Sequence, residues 1–187
     1  MNRKGMTKYL AAEMCETIND HWGFGSCDLN YKSPAILIES LCFSIKVGAN
    51  YLLNIGPRPQ GNVDTCQKEL LKLIGRWTYI FGEAIYERKP YPTKSLGNSF
   101  ILKGDNRLYI FRVRPGALEN ENVTASSRRG GCYAFNVVKD TVKNIYWMDN
   151  GEALEFMQKG EMLSVNFSAQ SSGMSFCVRV AVARLAE

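Results

Sequence analysis

Gly48-Ala49-Asn50-Tyr51-Leu52-Leu53-Asn54-Ile55-Gly56-Pro57 is the stretch on which the fold of this chain turns. Asn50 to Ile55 is nearly all apolar and stops at Gly56-Pro57, as a strand covered on both faces should. Just upstream, Ser33-Pro34 opens a helix: serine caps the free N–H groups, and proline in the first turn loses no bond. Leu37, Ile38, Leu41, Cys42 and Ile45 mark its buried face, and Gly48 closes it in the left-handed geometry that glycine tolerates. Downstream, Asp64 and Gln67 have the spacing of a capping box, with aspartate in place of serine or threonine. The helix they open should bury Leu70, Leu73, Ile74, Trp77, Ile80 and Phe81 and run to about Tyr86. Before all of this, Tyr9 to Ile18 reads as a strand. It leads into a polar, glycine-rich loop from Asn19 to Lys32 that carries Trp22 and Phe24.

The order is strand, loop, helix, strand, loop, helix, which implies parallel strands with helical crossovers. Two strands do not make a stable parallel sheet, so this half reads as a slice of something larger. The pattern changes near Pro90-Tyr91-Pro92, a boundary that divides the chain into residues 1–90 and 91–187. Beyond it come seven short runs with strand character: Phe100–Lys103, Leu108–Val113, Ala134–Val138, Lys143–Met148, Leu154–Met157, Leu163–Phe167 and Phe176–Ala183. Turns such as Gly104-Asp105-Asn106 and Asp149-Asn150-Gly151 separate several of them, and the whole predicts an antiparallel β-sandwich.

Composition narrows the functional classes. The 187 residues are 45% hydrophobic and 22% charged, a globular balance. The net charge of +5 is mild and its cations are dispersed; the densest pair, Arg128-Arg129, precedes Gly130-Gly131 and reads as a solvated loop. A nucleic-acid surface would need clustered cations, often with stacking aromatics. The six cysteines, Cys15, Cys27, Cys42, Cys66, Cys132 and Cys177, form no C-x-x-C pair. They read as reduced thiols in a reducing, cytoplasmic setting rather than as zinc ligands or disulfides. The apolar stretch Tyr9-Leu10-Ala11-Ala12 is too short for a signal sequence, and no run approaches a membrane span.

In parallel barrels ligands bind at the C-terminal ends of the strands. Here those ends are the loop holding Trp22 and the turn at Asn54–Pro57. Trp22 with Phe24 would either stack on a sugar ring or plug the barrel rim. Glu13, expected near the end of the first strand, would be either a general acid raised by poor solvation or a hydrogen-bonded structural carboxylate. His21, the only histidine, and Asp20 read as surface loop residues.

Glu13-Met14-Cys15-Glu16-Thr17-Ile18-Asn19-Asp20-His21-Trp22-Gly23-Phe24 resembles the segment Trp-Glu-x-Cys-x-x-Ile-(Asn/Asp), followed by Trp-Gly-aromatic, of the α-L-fucosidases of glycoside hydrolase family 29. The stretch from Gly48 to Pro57 resembles that family's Gly-Gly-Asn-x-Leu-Leu-Asn-Ile-Gly-Pro. Gly82-Glu83-Ala84-Ile85-Tyr86 resembles the end of its last barrel helix, and the spacing of Lys143–Phe156 resembles its C-terminal domain. All lie in the expected order. The resemblance implies the last two strand–helix units of a (β/α) barrel followed by an antiparallel β-sandwich.

It also implies a retaining exo-glycosidase without cofactor or metal, acting on fucosylated glycans. Retention needs two carboxyl groups roughly 5–5.5 Å apart, a nucleophile and an acid/base. The family's nucleophile is an aspartate upstream of the first motif, with no counterpart here, so this chain alone is expected to be inactive. Glu13 aligns with a glutamate near the active site and is the one catalytic candidate the resemblance implies. Trp22 matches an aromatic that lies against the C6 methyl of fucose, and Asn54 ties the last strand's end to the site. The family often carries tryptophan where this chain has Ala12. The implied protein partners are the missing N-terminal barrel half or further copies of the chain; no nucleic acid or membrane is implied. A non-catalytic carbohydrate-binding or interaction module, or one chain of a split fucosidase, is the alternative.

Overall fold

The computed structural model describes residues 11–95, 98–113, 131–167 and 177–186. The expected strand residues Tyr9, Leu10 and Phe176, and the Arg128-Arg129-Gly130 loop, lie outside them.

Strand β1 (Glu13–Thr17), helix α1 (Pro34–Lys46), strand β2 (Asn50–Asn54) and helix α2 (Thr65–Phe81) form the first half. The two strands pair in parallel, from Glu13 opposite Asn50 to Thr17 opposite Asn54. Ser33 caps α1 by accepting from the Ile36 amide at 3.3 Å. Past its end the chain turns at Gly48, where φ is +76°. Asp64 caps α2 through the Cys66 amide at 2.8 Å. The reciprocal half of the capping box does not form: Gln67 is buried and its Oε1 has no partner. The helix also stops at Phe81, running on only as a single 3-10 turn, Gly82–Ala84. Leu73 is 43% exposed rather than buried.

The remaining strands are β3 (Lys89–Pro90), β4 (Lys94–Ser95), β5 (Phe100–Lys103), β6 (Arg107–Val113), β7 (Gly131–Asn136), β8 (Val142–Trp147), β9 (Ala153–Lys159), β10 (Met162–Phe167) and β11 (Val178–Leu185). They form one continuous nine-stranded sheet, ordered β3-β5-β6-β11-β8-β9-β10-β7-β4, instead of two separate sheets. It is antiparallel throughout and curls on itself. Ile101, Leu108 and Ile110 from one end therefore share a core with Phe135, Leu163 and Val165 from the other.

Strands β5, β6 and β11 are buried on both faces. Alternation sends Ala181, Ala183 and Leu185 into the curled interior, while Val178, Val180 and Val182 face the helices. The second core joins those valines, Phe100 and Phe111 to Ile38, Cys42, Trp77 and Phe81. Phe100 and Phe111 stack at 4.5 Å. Glu83 locks the end of α2 to the sheet, accepting from Arg107 at 2.6 Å and from the Tyr109 hydroxyl at 2.7 Å.

Trp77 is 2% exposed and its indole N–H donates to the Val178 carbonyl at 2.8 Å. Trp77→Phe keeps most of the apolar area but strands that carbonyl and leaves a void. It should lower unfolding free energy by roughly 1–3 kcal/mol, read by urea denaturation.

Candidate functional site

Pleating gives the β1–β2 pair two unlike faces. Met14, Glu16 and Tyr51 turn toward the covered side: Met14 Sδ lies 3.6 Å from the Ser44 hydroxyl on α1, and the Tyr51 hydroxyl donates to Glu16 at 2.8 Å. Burial and that bond to a carboxylate push the Tyr51 phenol far above its ordinary value. The opposite face carries Glu13, Cys15, Asn50 and Leu52, all exposed, with Leu52 at 41%. The expectation of a strand covered on both faces therefore holds for one face only among the described residues.

The loop after β1 is built from its own polar groups. Asp28 has a side chain only 2% exposed, and it accepts from the His21 amide at 2.9 Å and the His21 Nδ1 at 2.8 Å. Its burial alone would raise the carboxyl. The hydrogen bonds from His21 and from the Asp20 amide outweigh that and hold it below the usual carboxylate range. Asn30 donates to both oxygens of Asp20 at 3.1 Å. Lys32 gathers the end of β1, reaching the Thr17 carbonyl at 2.6 Å, its hydroxyl at 3.0 Å and the Asn19 carbonyl at 3.1 Å.

This loop is fastened to the end of β2. The Ile18 amide donates to the Asn54 carbonyl at 3.1 Å, and the Asn54 side-chain amide donates to the Trp22 carbonyl at 2.6 Å. Gly56 passes so close that an added Cβ would lie 2.7 Å from the Gly23 carbonyl oxygen, so no larger residue fits there. Trp22 is left 55% exposed beside an open hollow of about 710 Å³, whose walls include His21, Phe24, Asp28 and Asn30.

The structure thus brings Trp22 and Asn54 together. Glu13 stands apart: it opens β1 instead of ending it. Thr17 ends the strand, with Asn19 just beyond it, and Glu13 lies roughly 13 Å below that end at about 3.3 Å per residue. The apolar run before Glu13 suggests an earlier start, and the strand begins only at Glu13. His21 is largely exposed, as expected for a loop residue, yet its ring and amide are both held by Asp28. Lys32, Asp28 and Thr17 were not singled out from the sequence, because their main partners are backbone groups brought close only by folding. Asn19 is buried with its Oδ1 unpartnered. Among the described residues no three His, Cys, Asp or Glu side chains gather as a metal site would.

The fold is similar to that of solved α-L-fucosidases. The chain matches an α-L-fucosidase from Paenibacillus thiaminolyticus with a TM-score of 0.75 and 22% identity, over 94% of this chain and 40% of that one. It matches the α-fucosidase of Thermotoga maritima with a TM-score of 0.70 and 20% identity, over 92% and 39%. In sequence, residues 2–83 match the family model described as alpha-L-fucosidase. The tissue α-L-fucosidase of Rattus norvegicus is 36% identical over 94 residues, which is 48% of this chain and 20% of that protein. The chain is thus similar to part of an α-L-fucosidase, in sequence over its first half and in fold over most of its length. It spans about a fifth of the length of the curated relatives it matches.

Because the folded chain holds Asp28 below the unfolded value of about 3.9, its stabilising effect is complete above that pH and is lost as pH falls through the folded value. Asp28→Asn should therefore destabilise the chain near neutrality. The gap to the wild type should close as denaturation is repeated below about pH 4.

Proposed function

We propose that this chain supplies the end of the catalytic barrel and the C-terminal sheet of a retaining α-L-fucosidase. In this reading residues 1–90 contribute the last two strand–helix units, and residues 91–187 form the β-sandwich-like domain behind them. The complete enzyme hydrolyses terminal α-L-fucosyl residues of glycoconjugates through a covalent glycosyl-aspartate, with the nucleophile on an earlier strand. The polypeptide partner implied is the preceding part of the barrel.

One observation carries the reading: two segments that resemble the family's motifs, Glu13–Thr17 and Asn50–Asn54, form parallel strands, and their C-terminal ends are bound to each other on an open face. Ligands of parallel barrels sit at that end. The exposed Leu52 and Leu73 are apolar surface that further barrel strands and helices would cover.

Trp22 is the proposed platform for the C6 methyl of fucose, the group that separates fucose from hydroxymethyl hexoses. Asn54 is a positioning residue, since it holds the Trp22 carbonyl rather than the sugar. Glu13 shares the open face but lies at its far end, and a proton-donating role does not follow from that placement.

The 187-residue chain alone should release no nitrophenol from the aryl α-L-fucoside; turnover surviving stringent purification would refute the missing-nucleophile account. In an enzyme completed with the preceding strands, Trp22→Ala should cost the fucoside more than the analogue lacking the methyl, by roughly 1–3 kcal/mol in kcat/KM. Equal losses on both substrates would remove Trp22 from the methyl contact.

A further inference from the structure

A second concavity lies at the other end of the strand pair. Lys46 ends α1 just before Asn50 begins β2, whereas the candidate sugar site follows Asn54, where β2 stops. Between Lys46, the β3–β4 connection and β5 runs a groove of about 470 Å³, within the range of small-molecule pockets of about 300–1,000 Å³.

Its lining has an unusual balance. Two ammonium groups, Lys46 and Lys94, border it, and no carboxylate does. Among the described residues, neither lysine has a carboxylate within ion-pair distance. Lys46 is held in place over the rings of Phe43 and Phe100, at 5.5 and 5.6 Å. Thr93 adds a hydroxyl to the wall, while the Tyr91 and Phe100 rings supply apolar surface.

We propose that this groove binds a small hydroxylated anion, a sugar acid of uronic-acid type. The two lysines would take the carboxylate, Thr93 a ring hydroxyl, and the aromatic wall the C–H face. Two uncompensated cations sharing one concavity raise the local concentration of anions. An ammonium is a compact point charge that suits a carboxylate without demanding bidentate geometry. The site is separated from the fucose site by the length of β2, and its occupancy does not depend on the fucosidase reading.

The test uses the 187-residue chain labelled with nitrogen-15 and titrated with glucuronate, with glucose as the neutral control. Glucuronate should shift the amides of Thr93, Lys94 and Ile101 saturably, and glucose should bind roughly tenfold more weakly, as the loss of two partly exposed ion pairs implies. Lys94→Ala should weaken glucuronate roughly two- to fivefold, and added salt should weaken it further. Lys94→Ala combined with Lys46→Gln, which keeps the stem over the rings, should abolish the preference over glucose. Equal binding of the two sugars, shifts confined to other regions, or a preference that survives the double variant would each overturn the proposal. Acetate binding as tightly as glucuronate would overturn the sugar-acid assignment. Fucose is read separately, at Trp22 and Asn54, so failure in the groove leaves the fucosidase reading standing.

Discussion

Asn54 ends one strand, Trp22 sits in the loop after its parallel neighbour, and a 2.6 Å hydrogen bond joins them. That bond exists only because β1 and β2 run parallel and in register, with Thr17 opposite Asn54. A register slipped by one residue would turn Asn54 to the helix side and present Leu53 on the open face. Gly56 reinforces the same constraint, since the Gly23 carbonyl oxygen occupies the space a side chain would need. The exposed indole and the hollow beside it follow from these contacts.

The sheet supports this arrangement from behind. Valines 178, 180 and 182 of β11 meet Trp77 and Phe81 of α2 and Ile38 and Cys42 of α1, so both helices rest on a layer that is itself buried on its far side. The helices thereby have a firm backing even though the strand pair they cover is open. Glu83, bound to Arg107 and Tyr109, fixes the end of α2 against β6. That contact gives the Gly82-Glu83-Ala84-Ile85-Tyr86 motif a physical reason: its carboxylate ties helix to sheet, while Ala84 and Ile85 bury themselves beneath it.

Local chemistry was legible in the sequence. The caps at Ser33 and Asp64, the turn at Gly48 and the turn at Asn150-Gly151 all act within a few residues, and each formed where its signal stood. Phe100–Lys103 matched its strand because the run is short, apolar and bounded by a turn. What failed was non-local. Two-residue strands such as Lys89–Pro90 and Lys94–Ser95 carry no period to read. The curl that merges the expected sandwich into one sheet depends on pairing across the chain. Lys32 and Asp28 gather backbone groups, which no side-chain spacing announces. Glu13 opens β1 rather than closing it, a difference the sequence hides because the apolar residues before Glu13 blur where the strand begins.

The account rests on the open face of β1 and β2 being an inner wall completed by earlier barrel strands. Cys15 stands on that face, exposed, while Cys132 is an exposed thiol on the distant β7. Thiol labelling, mapped by peptide mass spectrometry, compares the 187-residue chain with the chain joined to its preceding barrel segment. The account predicts that Cys15 labels rapidly in the first and is protected in the second, with Cys132 reactive in both. Equal reactivity of Cys15 in the two forms would contradict it.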